Sequence, residues 1–86
     1  MTNGCGWVWQ ERQTWDWFWM EQKDGKYFSS SSWITCADAV RILQGKKRAP
    51  ETNIEVKDIN RFQPVSAYVI EVMMQAVSES YDENVP

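Results

Sequence analysis

Histidine is absent from this chain, and its absence narrows the chemistry that the chain can perform. Histidine is the commonest acid–base residue near neutral pH and the commonest metal ligand. The remaining soft ligands, Cys5 and Cys36, are too few for the four ligands of a structural zinc site, and no histidine is there to activate either thiol. Carboxylate or lysine chemistry stays open, although no motif marks it. We expect a protein that is not an enzyme and that uses no metal or other cofactor.

Long apolar segments are missing as well. No run approaches the roughly 20 residues of a membrane-spanning helix, and residues 1–5 lack the basic and apolar segments of a signal peptide. Two cysteines are also fewer than small, disulfide-stabilised secreted domains usually carry. The sequence therefore predicts a cytoplasmic protein with reduced thiols and without a membrane partner.

A length of 86 residues accommodates one ordinary domain. We predict a single small domain over residues 1–80 and an acidic, flexible tail over residues 81–86. The formal net charge is −3, from 9 Lys and Arg against 12 Asp and Glu. Proteins that bind nucleic acids generally present a positive field to the phosphates, so nucleic acid is the less favoured partner.

Tryptophan, in contrast, is abundant, with six residues in this short chain. Strand-favouring aromatic and branched residues are concentrated in residues 7–9, 15–20 and 27–34. Asp24-Gly25 lies between the second and third of these segments and predicts a type I′ hairpin turn, in which both central residues have positive φ. Three antiparallel strands are therefore expected.

The hairpin loops also predict a register. If the polar residues 10–14 form the first loop, Trp9 pairs with Trp15 and Trp7 pairs with Trp17. Across the Asp24-Gly25 turn, Lys23 pairs with Lys26. Because side chains alternate between the two faces of a sheet, one face is expected to collect five tryptophans: Trp7, Trp9, Trp15, Trp17 and Trp19.

Two helices are predicted beyond the third strand. Thr35 is a candidate N-cap for a helix over residues 35–44, which Gly45 ends. Pro64 suits the first position of a second helix over residues 64–79. Its predicted apolar stripe is Val65, Tyr68, Val69, Val72, Met73, Ala76 and Val77.

The segment between the helices, residues 51–63, is predicted as either a short edge strand or an extended loop. The expected fold is α+β, with the element order β-β-β-α-(β)-α. A three-stranded antiparallel sheet, or a four-stranded one if the edge strand forms, packs against both helices on one face. The other face is then left without a cover.

An uncovered face rich in tryptophan has two interpretations. Either the tryptophans serve as a compact core in a short chain, or they form an interaction surface, since large exposed apolar patches on monomers generally mark one. Tryptophan is also enriched among the residues that dominate interface energies. We predict a non-enzymatic protein-binding module, a small regulator or inhibitor of the kind that phages and mobile elements encode. The predicted contact residues are the five tryptophans of that face, and a homodimer along the second helix is a further alternative.

A basic cluster follows the first helix and consists of Lys46, Lys47 and Arg48. Cations at a helix C-terminus complement its dipole, so a solvated helix end is the simpler interpretation. The alternative is a contact to phosphate or to an acidic partner. Combined with aromatic stacking on bases, this contact would make the chain a nucleic-acid-binding protein.

Overall fold

The structure, a computed structural model, describes the backbone of residues 6–83 and the side chains of residues 6–76. Within that part of the chain, five strands and two helices follow the order β-β-β-α-β-β-α. The elements are β1 (Gly6–Glu11), β2 (Trp17–Lys23), β3 (Lys26–Ser30), α1 (Cys36–Leu43), β4 (Thr52–Val56), β5 (Phe62–Pro64) and α2 (Ala67–Glu83). The α+β class is confirmed, while the sheet has more strands than the three or four predicted.

The strands form one antiparallel sheet in the order β4-β3-β2-β1-β5. Strand β4 is the edge strand that was one of the two alternatives for residues 51–63. Strand β5 was not predicted, because Pro64 was assigned to the start of a helix. Proline donates no backbone hydrogen bond and is therefore tolerated on an edge strand, where Pro64 pairs with Trp9 of β1.

The second hairpin forms as predicted. Asp24 and Gly25 have φ angles of 52° and 78°, as a type I′ turn requires. Lys23 accordingly pairs with Lys26 across the turn.

The register predicted for the first hairpin is wrong. Trp9 pairs with Phe18 instead of Trp15, and Trp7 pairs with Met20 instead of Trp17. The pairing is shifted by an odd number of residues, and such a shift moves a strand's side chains to the other face. The five tryptophans therefore do not share one face of the sheet.

Helix α1 follows its local signals closely. The Thr35 side chain accepts a hydrogen bond of 3.0 Å from the Asp38 backbone N–H, as an N-cap does. Gly45 follows the helix with a φ of 76°, a conformation that glycine adopts easily. Cys36, at the first helical position, is an exposed thiol, whereas Cys5 lies outside the described residues.

Helix α2 differs from its prediction in its start and in its buried side. It begins at Ala67, and it runs through residues 81–83, which were predicted as flexible tail; residues 84–86 are not described. Ile70, outside the predicted stripe, is 3 % exposed, whereas Tyr68 and Val72 are exposed. The predicted stripe member Val77 lies outside the described side chains.

The core lies between the helices and one face of the sheet, which we call the helix face. Strand residues Val8 and Trp19 pack there against Ala39 and Ile42 of α1 and Ile70 of α2. Both helices therefore cover the same face, in agreement with the sequence prediction.

The other face, which we call the opposite face, has a partial cover. The chain leaves β4 at one edge and reaches β5 at the other, through residues 57–61, which include a single 3₁₀ turn, Ile59–Arg61. Residues of this connection line a groove together with Phe18 and Ser29 of the opposite face. Met20 on the same face is only 1 % exposed. The prediction that this face lies bare is therefore wrong in part.

Neither helix, over the residues described, has the length and apolar character that crossing a bilayer requires.

Candidate functional site

The structure divides the five predicted contact tryptophans into three groups. Trp17 and Trp19 lie on the helix face, where Trp19 is 1 % exposed. Trp7 and Trp9 alternate onto the opposite face at the backbone and are half-buried, and the Trp7 side chain also packs against the core cluster. Trp15 belongs to neither face, because it lies in the loop before β2, and it is 73 % exposed.

The half-buried pair on β1 is held by contacts within the molecule. The Trp7 indole Nε1 donates a hydrogen bond of 2.7 Å to the Val65 carbonyl oxygen. The Trp9 ring meets Tyr27 edge-on, with ring centroids 5.3 Å apart, which is a favourable aromatic geometry. These two tryptophans, like Trp19, are engaged in holding the fold together.

The exposed tryptophans collect at one end of the sheet. Strand β2 begins at Trp17, which forms a bridge to Ile34. Trp15 lies two residues before Trp17, and Trp33 lies one residue before Ile34, so both residues lie near this end of the sheet on adjacent segments. Trp33 is 59 % exposed. We refer to Trp15 and Trp33 as the exposed tryptophan pair.

Trp33 was not among the predicted contact residues. The sequence places it in a run that continues the third strand, whereas regular pairing of β3 ends at Ser30 and only the isolated bridge at Ile34 follows.

The loop that carries Trp15 is fixed by one carboxylate. Glu11 is 5 % exposed, and its Oε1 accepts hydrogen bonds from the backbone N–H groups of Gln13 (2.5 Å) and Thr14 (2.9 Å). Its backbone carbonyl accepts from the Trp15 N–H at 2.9 Å, and its N–H donates to the Asp16 carbonyl at 2.8 Å. The loop is thus bonded to the end of β1 at four points.

The connection over the opposite face holds the same loop from outside. The Arg61 guanidinium lies 3.1 Å from Glu11 Oε2. Arg12 donates to two carbonyls of this connection, through its backbone N–H to Arg61 at 2.9 Å and through its side-chain Nε to Asn60 at 3.0 Å. The position of Trp15 is therefore set by the fold and not by the loop alone.

These contacts favour the charged form of Glu11. The hydrogen bond from the Thr14 N–H is the largest influence lowering the pKa of Glu11 below its usual 4.5, with the Gln13 N–H and Arg61 acting in the same direction and burial opposing them. The carboxylate thus stays ionised, with Arg61 as its countercharge, at neutral pH.

Trp15 itself has an unusual backbone conformation, with a φ of 70°. Positive φ is sparsely populated by residues other than glycine and asparagine, and a bulky side chain there is an outlier. Such strain costs of order 1–3 kcal/mol and is concentrated at functional positions. A large apolar ring that faces water, on a strained backbone, contributes little to the stability of the fold.

A groove lies on the opposite face of the sheet, and neither Trp15 nor Trp33 is among its lining residues. It encloses about 450 Å³, and Phe18 and Phe62 form apolar parts of its lining. Ile54 of the edge strand, 51 % exposed, also lines it, as does Ser31, close in sequence to Trp33. The groove is thus a separate, partly apolar feature of the opposite face, and its lining residues Phe18 and Ser31 are close in sequence to Trp15 and Trp33.

The three residues of the basic cluster differ in their contacts. Lys47 Nζ lies 2.9 Å from Asp38 Oδ1, so one of its three cations is paired with the first turn of α1. The hydrogen bond from Lys47 is the main influence lowering the pKa of Asp38. Lys46 and Arg48 are exposed. The cluster therefore offers less free positive charge than the sequence suggests.

Among the described residues, no group of three or more Cys, Asp and Glu side chains is arranged to hold a metal ion. Comparison with known proteins gives no further assignment: no family model, no curated protein and no solved structure matches the chain.

Proposed function

We propose that this protein is a protein-binding module whose partner docks on the exposed tryptophan pair. The single observation that carries the proposal is Trp15, 73 % exposed at a φ of 70° on a loop bonded to Glu11. Folding alone would favour glycine or asparagine at this position. A function that needs the indole explains why tryptophan is found there.

Rigidity of the loop supports the same proposal. A side chain that is already fixed before binding loses less conformational entropy when a partner covers it. Tryptophan is also the residue type most often found among the few that dominate an interface. Trp33, which is also exposed, extends the surface, so a partner can contact a second aromatic ring there.

This proposal replaces the predicted contact set with a different one. Trp7, Trp9, Trp17 and Trp19 support the fold, and of the predicted set only Trp15 remains as an anchor. A small module with one rigid aromatic projection suits a regulator or inhibitor that blocks a site on its partner. Its origin in a phage or mobile element stays a prediction.

The test compares three variants in affinity capture from the native cell, with quantitative mass spectrometry as the readout. Trp15→Gly removes the indole and relieves the backbone strain, and Trp33→Gln removes the second ring. Tyr68→Gln, on α2, removes another exposed aromatic ring, 75 % exposed, that lies outside the exposed tryptophan pair. We expect at least one protein that is captured by the wild type and by Tyr68→Gln but lost with Trp15→Gly. Equal capture by all of them contradicts the proposal.

Nucleic-acid binding is the alternative, with Lys46 and Arg48 as phosphate contacts and the two tryptophans as stacking platforms. The pairing of Lys47 with Asp38 weakens it. Its signature would be binding to oligonucleotides that falls steeply as salt is raised. Absence of binding to single- and double-stranded oligonucleotides at low salt would remove it.

A further inference from the structure

We infer that the outer side of α2 is a second docking surface, which binds a basic amphipathic helix of a partner protein. The inference is independent of the exposed tryptophan pair and depends on different residues. Some apolar side chains of α2 face the core, and others face the solvent.

The inner side of α2 is buried against the core. Ile70 is 3 % exposed, and Val69 and Met74 pack against the same cluster. These contacts attach the helix to the helix face, where α1 lies beside it.

The outer side nevertheless carries apolar residues at helical spacing. Tyr68 is 75 % exposed and Val72 is 46 % exposed, and Ala76 is exposed one further turn along. Residues four apart are neighbours on a helix surface. We call Tyr68, Val72 and Ala76 the outer stripe. The rest of the described chain leaves this stripe open to solvent.

The charge of α2 indicates what kind of partner fits the stripe. The helix contains four acidic residues and neither lysine nor arginine. Three of the four, Glu79, Asp82 and Glu83, belong to its last five residues. The C-terminal end of a helix is the negative end of its dipole, so negative charges there are unfavourable. Cations supplied by a partner would relieve this repulsion.

A second copy of the chain fits the outer stripe poorly. Pairing α2 with another α2 would bring two acidic helices together, and neither contains a cation to offset the other. Like charges at such close approach are destabilising. The complementary partner is a helix with an apolar stripe bordered by Lys or Arg, since amphipathic helices commonly dock by their apolar side.

The experiment uses a synthetic amphipathic peptide of leucine and lysine, about 18 residues long so that it matches the roughly 25 Å length of α2. Two matched peptides accompany it: one with glutamate in place of each lysine, and one with serine in place of each leucine. Binding to the full chain is measured by fluorescence anisotropy. We expect the leucine–lysine peptide to bind and both matched peptides to bind at least about tenfold more weakly.

The decisive variant is Tyr68→Gln with Val72→Gln, which keeps helix-favouring residues and the net charge. Far-UV circular dichroism checks that it folds. We expect this variant to lose about tenfold or more in affinity for the leucine–lysine peptide, and Trp15→Gly to bind it as the wild type does.

Three results would overturn the inference. The first is unchanged binding by the double variant. The second is equal binding of the lysine–serine peptide, which would mean that charge alone attracts it. The third is a wild-type dimer in sedimentation velocity that Val72→Gln dissociates, which would make a second copy the occupant.

Discussion

Gly6 and Trp19 are in direct contact on the helix face, and the Trp19 indole fills the space that a side chain at position 6 would need. A Cβ atom built on Gly6 would approach Trp19 Cε2 to 2.7 Å, closer than real Cβ atoms come to a neighbour. The indole is held in place because its Nε1 donates to Glu21 Oε2 at 3.3 Å. Glu21 in turn accepts a hydrogen bond of 3.4 Å from Thr52 on β4.

Gly6→Ala is therefore expected to destabilise the protein by about 1–3 kcal/mol, as overpacking a rigid site does. Urea denaturation measures the change. The same substitution in a Trp19→Phe background should cost less, because the smaller ring leaves room for the added methyl group. An equal loss in both backgrounds would show that the contact with Trp19 is not the cause.

The N-cap of α1 gives a second prediction. Replacing Thr35 by Ala removes the side-chain acceptor for the Asp38 N–H and should lower the free energy of unfolding by about 1 kcal/mol. Thr35→Ser keeps the hydroxyl and should leave stability close to that of the wild type. A loss of equal size in both variants would indicate that the methyl group of Thr35 matters instead of its hydroxyl.

The parts of the fold that the sequence predicts correctly are those with local signals. The Asp24-Gly25 turn and the cap at Thr35 each depend on the conformational preferences of one or two neighbouring residues. The placement of both helices on one face also follows from simple layering.

The first hairpin could not be predicted in the same way. Its register depends on the loop, and the loop depends on a tryptophan in a left-handed conformation and on the carboxylate of Glu11. Neither feature can be recognised from the sequence as a turn signal. A residue with positive φ in such a loop is normally glycine or asparagine, and here it is Trp15. The resulting odd shift in register divided the predicted tryptophan face.

The candidate site was predicted in part for the same reason. Trp15 was included in the predicted set, but on a sheet face to which it does not belong. Trp33 was missed, because alternation along the predicted third strand places it on the other face from the five predicted tryptophans. Helix α2 has apolar residues both on the predicted stripe and outside it, at Ile70 and Met74. Only the tertiary packing shows that Ile70 is on the buried side.

The strain at Trp15 can be measured separately from its role in binding. Trp15→Ala and Trp15→Gly both remove the indole, but only glycine adopts a φ of 70° without penalty. The glycine variant should therefore be more stable than the alanine variant, by about 1 kcal/mol. Urea denaturation of the two variants tests this, and Trp15→Asn should fall between them. Equal stability of the alanine and glycine variants would place the strain elsewhere in the loop.

The last prediction concerns pH. Hydrogen bonds from the Thr14 and Gln13 N–H groups, together with Arg61, lower the pKa of Glu11 in the folded state below its usual 4.5. A carboxylate with a lowered pKa contributes stability that is fully present above the unfolded-state pKa. This contribution is lost as the pH falls from about 4.5 through the lowered pKa of the folded state.

Glu11→Gln should accordingly be less stable than the wild type at neutral pH, since its amide leaves Arg61 without a countercharge. Its stability should also change less than that of the wild type as the pH falls below about 4.5. Urea midpoints across this range provide the comparison. Asp38→Asn is the matched control: hydrogen bonding from Lys47 lowers the pKa of Asp38 from a usual value of 3.8, so that variant should also be less stable than the wild type at neutral pH, and the difference should shrink only as the pH falls below about 3.8. Parallel profiles for Glu11→Gln and the wild type would mean that Glu11 does not fix the loop through its charge.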